Sequence, residues 1–296
     1  MIVGMSEGLF ELVTVPGGAR SLRSRAHGET FHPGIGPMEE AKVLHVRQHW
    51  LEERMRARGG EFVIWDVGLG AGANALAVIE AVTGIEHGTA RVEVRSFDET
   101  LEPLRFALEH AEELEYPARW RREIGELLTT GRVEIGDIAW RVERGDFRER
   151  VEECAGPAPS AVLFDPYSPA ANPGMWTREV FRAIRDRADG DCTLTTYSRS
   201  TVTRARLMLA GWCVGRGAAT GEKRETTVAA TRLEALREPL RRDWLERVRR
   251  STAPGLREGG ITPESVAREL AECGANFLTA EAEEGKSGGW RAGEPD

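Results

Sequence analysis

The residues best suited to chemistry lie in two strings. The first, Asp66-Val67-Gly68-Leu69-Gly70-Ala71-Gly72-Ala73-Asn74, follows an apolar run and precedes a stretch of helical composition. Glycines in that setting let a ligand approach the backbone, because they lack a Cβ and accept positive φ. The same pattern alone also serves as a structural turn, so its placement between strand and helix is what gives it weight. Asp98 closes the next apolar run, roughly 26 residues beyond Gly72 and near the ~20-residue offset at which a carboxylate accepts hydrogen bonds from a ribose. The Gly-x-Gly-x-Gly spacing is tighter than the Gly-x-Gly-x-x-Gly of dinucleotide sites, which suits a nucleoside cofactor without a pyrophosphate. S-adenosylmethionine fits that description better than NAD. Asp146, in Arg144-Gly145-Asp146-Phe147, is a third acidic candidate, either for an adenine edge or as the cap of the helix that follows.

The second string is Asp165-Pro166-Tyr167-Ser168-Pro169-Ala170-Ala171-Asn172-Pro173-Gly174-Met175-Trp176, which leaves the buried run Ala161–Phe164. Its prolines fix φ and lower the entropic cost of holding one side-chain pose, which is useful where an acceptor atom must be aligned with a methyl group. Methylation of an amine requires a neutral nitrogen with a free lone pair. A neighbouring carboxylate can orient that nitrogen and accept its proton directly or through water, which makes Asp165 the catalytic candidate. The alternative is a rigid connector in which Asp165 caps the next helix.

Positioning these residues requires alternating strands and helices. Strands are expected at Phe62–Val67, Arg91–Phe97, Ala161–Asp165 and Cys192–Tyr197, with weaker ones near Trp140 and over Glu225–Thr231. Helices are expected at Ala73–Val82, Leu101–Leu114, Thr177–Ala188 and Val202–Ala210. This alternation predicts an α/β, doubly wound, mostly parallel sheet, in which ligands sit beyond the carboxyl ends of the strands. Met38–Arg58 reads as one basic amphipathic helix, Arg237–Arg250 as an Arg-rich helix and Thr262–Cys273 as another, while Glu281–Asp296 reads as a frayed tail. The division expected is 1–60 as an N-terminal extension with its basic helix, 61–231 as a cofactor-binding core and 232–296 as a helical C-terminal extension.

Composition narrows the function classes. The 296 residues are 41% hydrophobic and 30% charged, as in a globular chain. No run approaches the ~18 apolar residues of a membrane span. Met1–Phe10 lacks the basic start of a secretory signal, so retention in the cytoplasm is expected. Lys and Arg number 40 against 48 Asp and Glu, a net charge of −8, so a nucleic-acid partner needs a local basic face. Cys154, Cys192, Cys213 and Cys273 show no Cys-x-x-Cys spacing. His45 and His49 can share a helical face but lack a third ligand, and no metal is expected.

Several segments together resemble one family, the methyltransferase part of the bifunctional tRNA 5-methylaminomethyl-2-thiouridine biosynthesis protein, MnmC. They are Phe31-His32, Gly36-Pro37-Met38-Glu39-Glu40-Ala41, the glycine string, the Asp165 string, Thr196-Tyr197-Ser198, Ala210-Gly211-Trp212 and Gly221-Glu222-Lys223-Arg224-Glu225, and their order and spacing also agree. The resemblance covers about Phe31 to Ala230. It implies a Rossmann-like methyltransferase fold, S-adenosylmethionine as cofactor, and methylation of the exocyclic amine of 5-aminomethyl-2-thiouridine at the tRNA wobble position. By resemblance Gly68, Gly70, Gly72, Asn74 and Asp98 contact the cofactor, Glu40 touches it or closes the site, and Asp165 lies nearest the acceptor amine. Phe31, His32, Tyr167, Ser168, Asn172 and Trp176 are implied on the substrate side, with Tyr167 or Trp176 available to stack on a flipped base. Lys223 and Arg224 contact tRNA or brace the sheet. The tRNA reading also expects the basic residues of the Lys42–Arg58 and Arg241–Arg250 segments to line one face around the pocket.

Two departures from the family stand out. Pro166 replaces the usual Gly after the loop aspartate, and His49 stands where an Asn is usual. The FAD-dependent oxidase half has no counterpart in these 296 residues, so a separate enzyme is expected to supply the aminomethyl uridine. Two other readings compete: a methyltransferase or aminopropyltransferase for a small amine, and a non-catalytic tRNA-binding module.

Overall fold

The computed structural model describes residues 8–57, 60–83, 91–220, 224–257, 262–272 and 277. The chain opens with a hairpin of β1 (Phe10–Thr14) and β2 (Arg20–Ser24), followed by short helices α1 (Pro37–Ala41) and α2 (Leu51–Ala57). Then come β3 (Glu61–Val67), α3 (Ala73–Thr83), β4 (Arg91–Asp98), α4 (Glu102–Glu109), α5 (Ala111–Leu114) and α6 (Arg121–Thr130). The second half runs β5 (Arg132–Ile135), β6 (Ile138–Arg144), α7 (Phe147–Glu153), β7 (Ala161–Phe164), α8 (Arg178–Arg187), β8 (Thr193–Thr196), α9 (Thr201–Leu209), β9 (Cys213–Gly217), β10 (Thr226–Ala230), α10 (Trp244–Arg249) and α11 (Pro263–Glu272).

Eight strands form one sheet in the order β5-β6-β4-β3-β7-β8-β10-β9. The five central strands β6, β4, β3, β7 and β8 are parallel, β5 and β10 run antiparallel to them, and β9, paired antiparallel with β10, runs in the direction of the central strands. This is the Rossmann-like α/β architecture expected from the alternation of elements. Strand β3 shows why: Val63, Trp65 and Val67 join the core beneath α7–α11, whereas Phe62 and Ile64 join the core beneath α2, α3, α4 and α6. Burial on both faces is what makes such a strand read as a continuous apolar run. The chain moves outward from β3 to β4 in one direction and to β7 in the other, so the crevice between β3 and β7 is the topological switch point.

Three helical expectations change. Met38–Arg58 is not one helix. A π-helical turn over Lys42–Arg47 follows α1, and Trp50 at φ +53° breaks the chain before α2. The widened turn puts His45, Gln48 and His49 on the buried side, where polar partners in the sheet override regular α geometry. Leu101–Leu114 breaks at His110 into α4 and α5. In Arg237–Arg250 only Trp244–Arg249 is α-helical, because Glu238–Leu240 runs along the outer edge of β9, where Arg216 N bonds Glu238 O and Leu240 N bonds Val214 O. That contact covers an otherwise open strand edge. Cys273 and Glu281–Asp296 lie outside the described residues.

Candidate active site

The glycine loop joins β3 to α3 with Gly68, Gly70 and Gly72 at φ +94°, +51° and +83°. Side chains rarely adopt such backbone. A Cβ on Gly68 would also meet the carbonyl oxygen of Asp165 at 2.8 Å. The loop and the Asp165 turn therefore touch across the switch point. A Cβ on Gly70 would meet the Phe31 ring at 3.1 Å, and one on Gly72 would meet Leu104 at 2.8 Å. Gly70 N donates to Asp98 Oδ2 at 2.9 Å, and Thr100 N donates to Oδ1 at 3.2 Å. Each carboxylate oxygen at the end of β4 thus keeps lone pairs with which it can accept from vicinal hydroxyls. Burial raises the Asp98 pKa.

Beneath the loop, Ser96 Oγ donates to Asp66 Oδ2 at 2.7 Å, and Trp140 Nε1 donates to Ser96 Oγ at 2.9 Å. Asp66 Oδ1 is buried without a partner among the described residues. Burial, with the nearby Asp165 and Asp98 charges, pushes Asp66 up to about 8. In sequence Asp66 opens the glycine string with no role of its own, because an aspartate inside an apolar strand looks the same there whether it faces a ligand or a serine.

On the other side of the crevice, Asn74 in the first turn of α3 donates through Nδ2 to Asp165 Oδ2 at 2.7 Å. Its Oδ1 accepts from His32 Nε2 at 3.1 Å, and the same nitrogen lies 3.4 Å from Asp165 Oδ2. Burial is the largest single influence on both ionisable partners and opposes charge on each. Hydrogen bonding and mutual charge outweigh it, so His32 is raised above 6.5 and Asp165 is lowered below 3.8. Asp165 is therefore a carboxylate at neutral pH and can only accept. His32 sits at φ +48°, a strained backbone for a non-glycine residue that its two partners hold in place. Asn74, expected on the cofactor side, touches the acceptor-side carboxylate.

The remaining candidates support the walls of this crevice. Tyr167 stacks on His27 at 4.0 Å between centroids and meets the edge of Phe31 at 5.6 Å. Glu29 accepts from Ser168 N at 3.0 Å and from Ser168 Oγ. Asn172 precedes a 3-10 turn over Pro173–Trp176. Trp176 is core rather than a stacking surface: it is 1% exposed, lies edge-on to Phe164 and Tyr197, and donates its Nε1 to Tyr167 O at 2.8 Å. It steadies the loop from behind. Glu40 spends Oε1 on the backbone amides of Gly34 and Ile35, at 2.5 and 3.0 Å. Asp146 caps α7, accepting from Arg148 N at 2.9 Å and pairing with its guanidinium. Arg224 is exposed, and Lys223 lies outside the described residues. Glu225 braces the sheet by pairing with buried Arg204 at 3.1 Å. His27 and Glu29 escaped the sequence reading because only the folded hairpin brings them to the loop.

The basic residues around α1 and α2 are largely committed within the protein. Lys42 pairs with Glu39 and Glu80, Arg56 pairs with Glu52, and Arg54 donates to Ser160 O and Asp191 O at 2.7 and 2.8 Å. Among the described residues no cluster of His, Cys, Asp or Glu is arranged to hold a metal, and no helix is long and apolar enough to cross a membrane.

The glycine loop and the pinned Asp98 fit a nucleoside cofactor, and the unpartnered Asp66 oxygen offers a further polar contact beneath the loop. The family of S-adenosyl-L-methionine-dependent methyltransferases matches residues 114–232, a span that includes the Asp165 string. The chain is an S-adenosyl-L-methionine-dependent methyltransferase. The bifunctional protein MnmC of Azoarcus sp. (strain BH72) is 30% identical to this methyltransferase over 216 residues, covering 68% of this chain and 33% of that protein. MnmC of Ectopseudomonas mendocina (strain ymp) is 28% identical over 268 residues, covering 84% and 38%. The methyltransferase thus spans about a third of the length of these relatives. The crystal structure of MNMC2 from Aquifex aeolicus superposes on it with a TM-score of 0.65 and 25% identity, covering 89% of this chain and 85% of that one. The methyltransferase therefore resembles the MnmC methyltransferase part both in sequence and over most of its fold.

Proposed function

We propose that this enzyme methylates the exocyclic amine of 5-aminomethyl-2-thiouridine at the wobble position of tRNA. The observation that carries the reading is the ionised Asp165 carboxylate, held by Asn74 and His32 at the switch point and touching the glycine loop through its own carbonyl. The names of the MnmC relatives support the substrate. S-adenosylmethionine, when bound, supplies an electrophilic methyl group on a sulfonium. Asp98 would hold its ribose hydroxyls and the side-chain-free backbone of Gly68–Gly72 would admit it, with the Asp66 carboxyl beneath the loop as a further polar contact.

Asp165 accepts a hydrogen bond from the neutral acceptor amine and so aims the nitrogen lone pair. As the N–C bond forms and the C–S bond breaks, positive charge develops on nitrogen beside this carboxylate, which stabilises it. The lowered pKa makes Asp165 a poor resting place for the proton that leaves afterwards. Its main work is orientation and charge stabilisation, and the proton passes on to water. In this reading residues 61–231 carry the catalytic core, Glu29, Phe31 and His32 of the 1–60 segment wall the acceptor side, and the described helices α10 and α11 of the 232–296 segment buttress the far side. The aminomethyl group of the substrate is installed by an earlier modification step, and the reaction takes place in the cytoplasm with the tRNA pool.

The test is radiolabel transfer from S-adenosylmethionine to tRNA bearing 5-aminomethyl-2-thiouridine, with unmodified tRNA and free polyamines as parallel acceptors. Label is expected in the modified tRNA alone, and Asp165→Asn is expected to lower kcat by about 10²–10³-fold with cofactor affinity unchanged. Label in polyamines, or cofactor binding without transfer to any acceptor, defeats the assignment.

A further inference from the structure

Two depressions of about 520 and 530 Å³ adjoin on the surface beside the acceptor loop. They run from Pro169 and Tyr197 at one end to Arg250 and Thr252 at the other, and Thr201 and Arg247 line both. The near end is tied to the active site, because Tyr197 donates its hydroxyl to Pro166 O at 3.2 Å, one residue from Asp165.

Arginines elsewhere on these elements are neutralised or anchored. Arg204 pairs with Glu225, Arg206 donates to Trp176 O, Arg182 to Leu209 O and Arg185 to Gly211 O. Glu246, the acidic residue of the groove, is held by Arg249. Arg199, Arg247 and Arg250 differ: all three are exposed, all line the groove, and none of their guanidinium groups has an ion-pair or hydrogen-bond partner among the described residues. The hydroxyls of Thr201 and Thr252 beside them are also unbonded among the described residues. Three uncommitted guanidinium groups with free hydroxyls make an anion-binding surface, and guanidinium and hydroxyl groups together are the usual contacts to phosphate oxygens.

The chain carries a net charge of −8, so its overall field repels polyanions and any attraction must be local. A groove that extends over two depressions from the edge of the acceptor loop suits a strand of successive phosphates better than a single anion. We propose that Arg199, Arg247 and Arg250 bind the phosphodiester backbone of the RNA strand flanking the acceptor nucleotide. This deepens the proposed tRNA reaction and rests on it for the identity of the strand. The contacts carry no base information; they set the position of the strand so that its nucleotide reaches Asp165.

The experiment measures tRNA affinity against salt for the wild type, Arg250→Gln and the triple variant Arg199→Gln/Arg247→Gln/Arg250→Gln. Melting temperature and S-adenosylmethionine affinity serve as controls for folding and for the active site. All three side chains are exposed, so both controls are expected to stay at wild-type values. The triple variant is expected to weaken tRNA binding about 10- to 100-fold near 0.1 M salt and to flatten the log–log salt slope by about two to three units, with about one unit for Arg250→Gln alone. The rate of methylation of the free aminomethyl nucleoside at saturation is expected to be unchanged. A triple variant with wild-type tRNA affinity and salt slope overturns the proposal, as does one that loses affinity for inorganic phosphate but not for tRNA. If the wild type binds tRNA through this slope yet transfers no methyl group to modified tRNA, the reaction assignment fails and the groove stands.

Discussion

At Asp165 and Asp66 the same force, burial, ends in opposite charge states. Asp165 has an amide donor and a partly cationic imidazole beside it and is held ionised, whereas Asp66 has a single serine hydroxyl and two like charges nearby and is held protonated. The His32–Asp165 pair contributes to stability within a window. The raised His32 contributes fully below its ordinary value of 6.5 and loses that contribution as pH climbs through its folded value. The lowered Asp165 contributes fully above 3.8 and loses its contribution as pH falls through its folded value. Asp66 behaves in the opposite sense to Asp165: its contribution is full below 3.8 and is lost as pH rises toward about 8, because the unfolded chain has given up a proton that the folded chain keeps. Asp66→Asn, which cannot titrate, is therefore expected to gain in melting temperature relative to the wild type as pH is raised from 5 to 9. Parallel melting curves across that range would show that Asp66 is already ionised in the folded chain. None of these charge states is written in the residue types; each depends on which donor happens to lie opposite.

Among the elements, the segment containing the π turn and α2 shows how a basic stretch can become structural. Its inner face forms a hydrogen-bonded chain in which His45 Nδ1 and His49 Nε2 each lie 2.8 Å from Thr195 Oγ1, and His49 Nδ1 lies 2.7 Å from Thr193 Oγ1. Burial lowers His45 to about 4, and burial with the nearby Arg54 charge holds His49 well below 6.5, so both rings are neutral hydrogen-bonding groups. Arg54 closes the chain on Thr193 Oγ1 at 2.7 Å and also ties the carbonyls of His49, Ser160 and Asp191. Ser160 precedes β7 and Asp191 precedes β8, so one guanidinium clamps the starts of two central strands to α2. Arg54→Ala is expected to cost about 2–3 kcal/mol in urea unfolding, since charge-assisted hydrogen bonds are lost and buried acceptors are left unmet. A loss below about 0.5 kcal/mol would mean that the clamp is surface decoration. From sequence this segment reads as a basic helix because its spacing is helical; the break at Trp50 and the inward turn of the histidines follow from threonines more than 140 positions away.

For the whole molecule, the flanks and the core act as one body around the crevice. The hairpin segment supplies Glu29, Phe31 and His32 to the site, while Trp244, Leu245, Val248, Val266 and Leu270 of α10 and α11 join the core that holds Trp176 and Phe164. Cofactor bound between these parts engages the folded state alone. S-adenosylmethionine at about 100 times its Kd is expected to add about 2.7 kcal/mol to the unfolding free energy, seen as a rise in melting temperature that grows with the logarithm of its concentration. A flat response would deny a preformed site. By itself the sequence determined the strand–helix alternation, the glycine turn, Asp98 and the Asp165 loop, because these depend on local periodicity, on backbone freedom at single residues and on short motifs. Tertiary structure alone decided that Asn74 and His32 hold Asp165, that Trp176 is core, that Asp146 and Glu40 are spent on their own loops, and that Arg199 of one helix approach shares a groove with Arg247 and Arg250 of another. The physical reason is that a side chain's charge state and availability are set by partners at long range, which only packing of the sheet brings within hydrogen-bond distance.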